Sequence, residues 1–157
     1  MKRAKKGLAF LISLCMIAGM LPTFAYANGD TFAEMKVGDK EAKQYDDQSQ
    51  FFSEFQQATG EISIKLLDDV TINGYIPVSE TQNVELDLNG CTLSTGVSSG
   101  SDLNTRHHYA IENNGTLLIE DTAGNGSIKA RGVKNLGEGI MVINGGTFID
   151  VDANGGA

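Results

Sequence analysis

The sequence predicts a mainly β fold: a parallel β-helix, or solenoid, closed on its N-terminal side by one α-helix. Three observations carry this expectation. After Gly60 the apolar residues alternate in short runs, comparable runs return every 22 to 31 residues, and Asn-Gly pairs punctuate the chain at 73, 89, 114, 125, 144 and 154. Nineteen glycines, two prolines and no tryptophan suit many tight turns between short strands. An antiparallel β-sandwich is the alternative, because Asn-Gly between alternating runs is also the common hairpin turn.

The first element is a leader. Lys2, Arg3, Lys5 and Lys6 precede the apolar run GLAFLISLCMIAGML, and Pro22 and the small residues Ala25 and Ala27 close it. This is the pattern of a secretory signal peptide, residues 1–27, cleaved after Ala27. The run is shorter than the roughly 20 apolar residues that span a bilayer, and Leu14 stands before Cys15 where a lipidated cysteine needs a small neighbour. Four of the twelve basic residues leave with it and none of the twenty acidic ones, so eight basic against twenty acidic residues give the mature chain a net charge of −12. Such a chain repels phosphate backbones and anionic lipid, which excludes nucleic acid and, after cleavage, a membrane surface as partners. Neutral glycans and cations remain. Cys91 is the one cysteine left, so no intramolecular disulfide is expected and stability rests on burial and backbone pairing.

Residues 28–61 read as an N-terminal cap. Met35 and Val37 mark a short strand. In DDQSQFFSEFQQATG, Phe51, Phe52, Phe55 and Ala58 fall on one helical stripe, which predicts a helix over about 47–58. Asp47 and Gln50 have capping-box spacing, and Gly60 stands where helices stop. Three phenylalanines on one face are expected to dock on the fold rather than to box a ligand.

Residues 62–157 read as the first coils. ISIKLLDDVTI (62–72), NVELDLNGCTL (83–93), GTLLIEDTAGNGSIKA (115–130) and GIMVINGGTFID (139–150) are strand regions, while YIPVSETQ and STGVSSGSDLNTRHH are loops. The returns are 22 residues from Ile64 to Leu86, 31 from Leu88 to Ile119 and 24 from Ile119 to Ile143. Leu86, Leu88, Leu117, Ile119, Met141 and Ile143 are expected to stack as an inward ladder, with Asn-Gly at corners that need positive φ.

The order of MKVGDKEAKQYDDQSQFFSEFQQATGEISIKLLDDVTI, NVELDLNGCTLS, AIENNGTLLIEDTAGNGSI and INGGTF resembles the start of the right-handed, pectate-lyase-like parallel β-helix surface proteins of Gram-positive bacteria, over about residues 35–150. The resemblance implies a secreted or cell-surface scaffold or stalk for adhesion or extracellular binding, non-catalytic in this stretch, with extracellular glycans or envelope components as partners. Two other readings stay open: the N-terminal part of a polysaccharide lyase or glycoside hydrolase, and a carbohydrate-binding module. Cys91 stands where the family often has bulkier or polar residues, and the chain contains no wall-sorting signal or envelope-binding repeat. A stack that stops after about four coils leaves an open edge. The expectation is therefore that the chain is the front of something longer, with an edge able to self-associate.

The candidate sites divide sharply by strength. Glu85 and Asp87 point to one strand face about 7 Å apart, between the spacings of retaining and inverting glycosidases, yet outward carboxylates on a strand are ordinarily solvated. Arg106, His107, His108 and Tyr109 form the densest set of functional side chains and are the expected ligand-binding residues, although neighbouring side chains of an extended chain point apart. Asp150, Asp152, Asn154 and Gly155 give the opening half of a calcium loop without its closing carboxylate, so a polar corner is the preferred reading and no cofactor is expected beyond the calcium such a loop could hold. GNGSIKARG lacks the spacing and the helix of a phosphate loop. Cys91 reads as a small core residue, and the sequons at Asn114 and Asn125 fall out of the corner motif. No catalytic constellation is predicted.

Overall fold

A computed structural model describes residues 31–96 and 109–149. The expected signal peptide, Arg106, His107, His108 and the Asp150 to Gly155 stretch lie outside the described residues. The chain begins with β1 (Ala33–Val37), β2 (Lys43–Tyr45) and the helix α1 (Gln48–Gln57). Then follow β3 (Gly60–Leu66), β4 (Val70–Ile72), β5 (Ile76–Val78), β6 (Gln82–Asp87), β7 (Thr92–Thr95) and β8 (Ile111–Asn113). The remaining strands are β9 (Thr116–Glu120), β10 (Ser127–Lys129), β11 (Val133–Asn135), β12 (Ile140–Ile143) and β13 (Thr147–Ile149).

From β3 onward the strands fall into three sheets in a fixed rotation. Sheet one has the order β12-β9-β6-β3-β1-β2, sheet two β13-β10-β7-β4 and sheet three β11-β8-β5. Among the described residues the strands therefore recur in three sets, or circuits, β3-β4-β5, β6-β7-β8 and β9-β10-β11, and β12 and β13 begin a fourth. Every described pairing between circuits is parallel. Among the described residues antiparallel pairing occurs only where β1 meets β2 and β3, so the described Asn-Gly pairs do not make the hairpins expected of a sandwich.

Alternation explains the register. On sheet one, Ile62, Val84, Leu117 and Met141 form one inward column, and Ile64, Leu86, Ile119 and Ile143 the next. Val70, Leu93, Ile128 and Phe148 continue the interior from sheet two, and Ile76, Ile111 and Val133 from sheet three. Each such side chain taken fully from water contributes about 1.5–3 kcal/mol. Two details of the expected ladder change. Leu86, not Leu88, pairs with Ile119, a return of 33 residues rather than 31. Leu88 lies past the end of β6 at the corner, fully buried, with its amide donating to the Glu120 carbonyl. Ile143 is in the expected column but 49% exposed, because nothing described lies above it.

The cap is aromatic. Phe51 lies between the rings of Phe32, Tyr45 and Phe52 at 5.3–5.6 Å and is stacked 6.1 Å from Phe55. Asp47 caps α1, its Oδ1 accepting from the Ser49 amide, one residue before the Gln50 amide that the expected box would use. The helix stops at Ala58, whose backbone is already extended. Gly60, φ +78°, opens β3 instead of ending the helix. Gln82, almost fully buried, ties the two parts by donating to the carbonyls of Phe55 and Ala58 while accepting from the Ser79 amide.

The Asn-Gly corners do two different jobs. At Asn89-Gly90 both residues have positive φ, 49° and 81°, which is the conformational role the sequence suggests. At Asn114-Gly115 the glycine is needed for space: a Cβ there would overlap the carbonyl oxygens of Ser79 and Gln82 in the circuit below.

Candidate functional site

The outer face of sheet one carries a shallow groove of about 380 Å³, lined among others by Lys36, Glu61, Ser63, Asn83, Glu85 and Leu118. Strand register builds it. Lys36, Ser63, Glu85 and Leu118 occupy one outward column across β1, β3, β6 and β9, and Glu61 and Asn83 pair beside them. The groove offers carboxylates, an ammonium, an amide and a hydroxyl beside one aliphatic side chain, a set suited to sugar hydroxyls. Only Glu85 of these was singled out by sequence; the others are scattered polar residues until register aligns them.

Asp87 does not share the groove with Glu85. It is 9% exposed, and its Oδ1 accepts from the amides of Asn89 and Thr122 at 2.8 and 3.0 Å while Oδ2 accepts from the Thr122 hydroxyl at 2.7 Å. Burial works to raise its pKa, but the Thr122 and Asn89 donors, with Lys65 at 3.7 Å, outweigh it and hold the carboxyl below its ordinary value. Neither solvated nor catalytic readings of the Glu85 and Asp87 pair describe this residue: it joins one circuit to the next. Asp121 does the same in reverse, accepting from Gly90 one circuit below and from Gly126 in its own. Asp69 reaches up to the Thr92 amide at 2.6 Å. At the sheet-three corner, Asn113 is fully buried and donates to Asn135 Oδ1 and the Ile140 carbonyl, while its Oδ1 accepts from Gly115.

Tyr109 is the expected ligand residue that the structure describes. It is half-buried, with Arg131 Cζ and Lys134 Nζ 5.9 and 5.7 Å from its ring centroid. Lys134 also lies 3.8 Å from Glu112. The two cations come from the following circuit, more than twenty residues on, so no local pattern points to them. Cys91 is partly buried with its thiol donating to the Asn89 carbonyl at 3.7 Å. Burial raises its pKa, and the neighbouring carboxylates of Asp69, Asp68, Asp121 and Asp87 add to the effect, so the thiol stays protonated and unreactive.

Among the described residues no cluster of three or more His, Cys, Asp or Glu side chains is arranged to hold a metal, and no helix is long and apolar enough to cross a membrane. Comparison with known protein families, curated proteins and solved structures finds no match to this chain.

Proposed function

We propose that the chain is a right-handed parallel β-helix that serves as an exported, non-catalytic scaffold at the cell surface or outside the cell, holding extracellular glycan in the groove of sheet one. The rotation of strands through three sheets, parallel from one circuit to the next, supports the fold reading, and the right hand is the one about 98% of parallel crossovers take. One observation carries the functional reading. The corner carboxylates and amides best placed for chemistry, Asp69, Asp87, Asp121 and Asn113, are already occupied by backbone amides or carbonyls, most of them in a neighbouring circuit. Side chains committed in this way stiffen a stack and are not available to a substrate.

The test is expression in a Gram-positive host, followed by sequencing of the released protein and incubation with neutral and acidic polysaccharides. The expected result is an N-terminus at Asn28, retention on a neutral glycan and no new reducing ends. Retention should fall several-fold in Glu85→Ala. A product retaining residues 1–27 inside the cell defeats the export reading, and steady release of reducing ends defeats the non-catalytic one in favour of a polysaccharide lyase or glycoside hydrolase.

A further inference from the structure

Asparagine before glycine is chemically labile, because the backbone can attack the side chain. The nitrogen of the glycine bonds to the asparagine Cγ, the Cγ–Nδ2 bond breaks, and the proton lost by that nitrogen leaves in ammonia. A five-membered imide remains. Water then opens the ring at either carbonyl, giving aspartate or isoaspartate. Glycine favours the step because it has no Cβ and its backbone turns freely. Five such pairs lie among the described residues, with asparagine at 73, 89, 114, 125 and 144. Sequence makes them equivalent, and the fold separates them.

Two conditions decide which pair reacts: the glycine nitrogen must be released from any acceptor, and the peptide must have room to swing toward Cγ. Asp121 holds two of these nitrogens, accepting from Gly90 on Oδ1 at 2.8 Å and from Gly126 on Oδ2 at 2.7 Å. Bonds to a carboxylate are stronger than neutral ones, and removing the amide proton beside one sets two negative charges together. The Gly115 amide donates to Asn113 Oδ1 at 3.1 Å, and at the fifth pair the Asn144 Nδ2 donates to Glu120 Oε1 at 3.3 Å. Packing works in the same direction. A Cβ placed on Gly90, Gly115, Gly126 or Gly145 would come within 3.1 Å or less of a neighbouring atom, so none of these peptides has space to turn.

Asn73-Gly74 differs on both counts. Asn73 is exposed, and among the described residues neither its side chain nor the Gly74 amide has a hydrogen-bond partner. A Cβ at Gly74 would meet nothing within 4 Å. The pair forms the corner between β4 and β5, with Asn73 Oδ1 lying against Gly96 of the next circuit. We propose that, among its described corners, the folded chain deamidates at Asn73, and that Asp121 protects Asn89 and Asn125 from the same reaction. The product sets a negative charge against Gly96, and in its isoaspartate form it adds a methylene to the main chain between β4 and β5. This inference is independent of the glycan reading.

Ageing the exported chain in warm, mildly alkaline buffer and mapping its peptides by mass spectrometry tests it, with isoaspartate separated from aspartate by elution. The expected result is conversion at Asn73 several-fold faster than at the other four pairs. In concentrated urea, where all five are equally free, that ranking should collapse. Asp121→Ala should accelerate conversion at Asn89 and Asn125 several-fold and leave Asn73 unchanged. Circular dichroism reports whether the variant is folded; if it is not, Asp121→Asn, which removes the charge and keeps one acceptor oxygen, replaces it and should accelerate at least one of the two. Equal rates at the five corners of the folded chain, faster conversion at Asn89 or Asn125 than at Asn73, or a folded Asp121 variant with Asn89 and Asn125 both unchanged overturns the proposal.

Discussion

At one end of sheet one, β1 runs antiparallel to β3 and α1 lays Phe51 and Phe55 over the interior, leaving them 3% and 0% exposed. In the β12 and β13 region β12 runs parallel to β9, and Ile143 and Phe148, the last described residues of their inward columns, are 49% and 38% exposed. The same inward ladder runs through both regions, and among the described residues the first is covered by a reversed strand and a helix. A parallel stack offers every new circuit the same edge, and it stops cleanly when strand direction reverses and a helix covers the interior.

The contrast is most sharply broken by truncating an aromatic at each end. Phe55→Ala removes a fully buried ring stacked on Phe51 and should cost about 4 kcal/mol. Phe148→Ala, with its ring partly in water, should cost below about 1 kcal/mol. Urea denaturation of both variants at low protein concentration measures the difference, and equal losses would mean that the cap does not close the interior. Between the ends, Gly115→Ala tests the stacking itself. Its Cβ would collide with two carbonyl oxygens of the preceding circuit, backbone that cannot swing aside, so a loss of about 3 kcal/mol is expected on the same denaturation curve.

How much of this was legible depends on how far apart the interacting residues lie in sequence. Helix α1 and the alternation of β3, β6 and β9 are local, and the spacing of Phe51 and Phe55 or of Ile62 and Ile64 suffices to place them. Register is not local. Counting between similar apolar residues puts Leu88 opposite Ile119, since sequence does not show that the strand ends at Asp87. The site fares worse still. An outward carboxylate such as Asp87 looks the same whether it meets water or an amide brought 35 residues along the chain by Thr122, and Tyr109 gives no hint of Arg131 and Lys134. The glycine of an Asn-Gly pair likewise hides whether it supplies positive φ, as at Gly90, or room, as at Gly115.

Asp87 provides a middle-sized effect with a pH signature. Asp87→Ala removes three hydrogen bonds to a charged acceptor and strands the Thr122 and Asn89 donors, for an expected loss of about 2–3 kcal/mol at neutral pH. Because its folded pKa lies below the unfolded value of about 3.9, its contribution is complete above that value and fades as pH falls through the folded pKa. The stability difference between parent and variant should therefore be constant from neutral pH down to about pH 5 and shrink below about pH 4. A difference that grows on acidification would assign the wrong sign to the shift.

The smallest expected effect returns to the cap. Tyr45 is buried with its hydroxyl donating to Glu54 Oε2 at 2.7 Å, and Lys43 donates to the other oxygen of the same carboxylate. Burial, then the hydrogen bond to Glu54, push the Tyr45 pKa well above its ordinary value, so the phenol stays neutral through the alkaline range in which a free tyrosine ionises. Lys43 and Tyr45 hold the Glu54 carboxyl below its usual range. Tyr45→Phe keeps the ring that packs on Phe51 and deletes only the hydroxyl, so about 1 kcal/mol should be lost. Proton titration followed by NMR should also show the Glu54 pKa rising toward its ordinary value, but not all the way, because Lys43 remains. An unmoved Glu54 would mean that the tyrosine contributes to the cap through its ring alone, which makes closure of that end a matter of apolar packing without polar fixation.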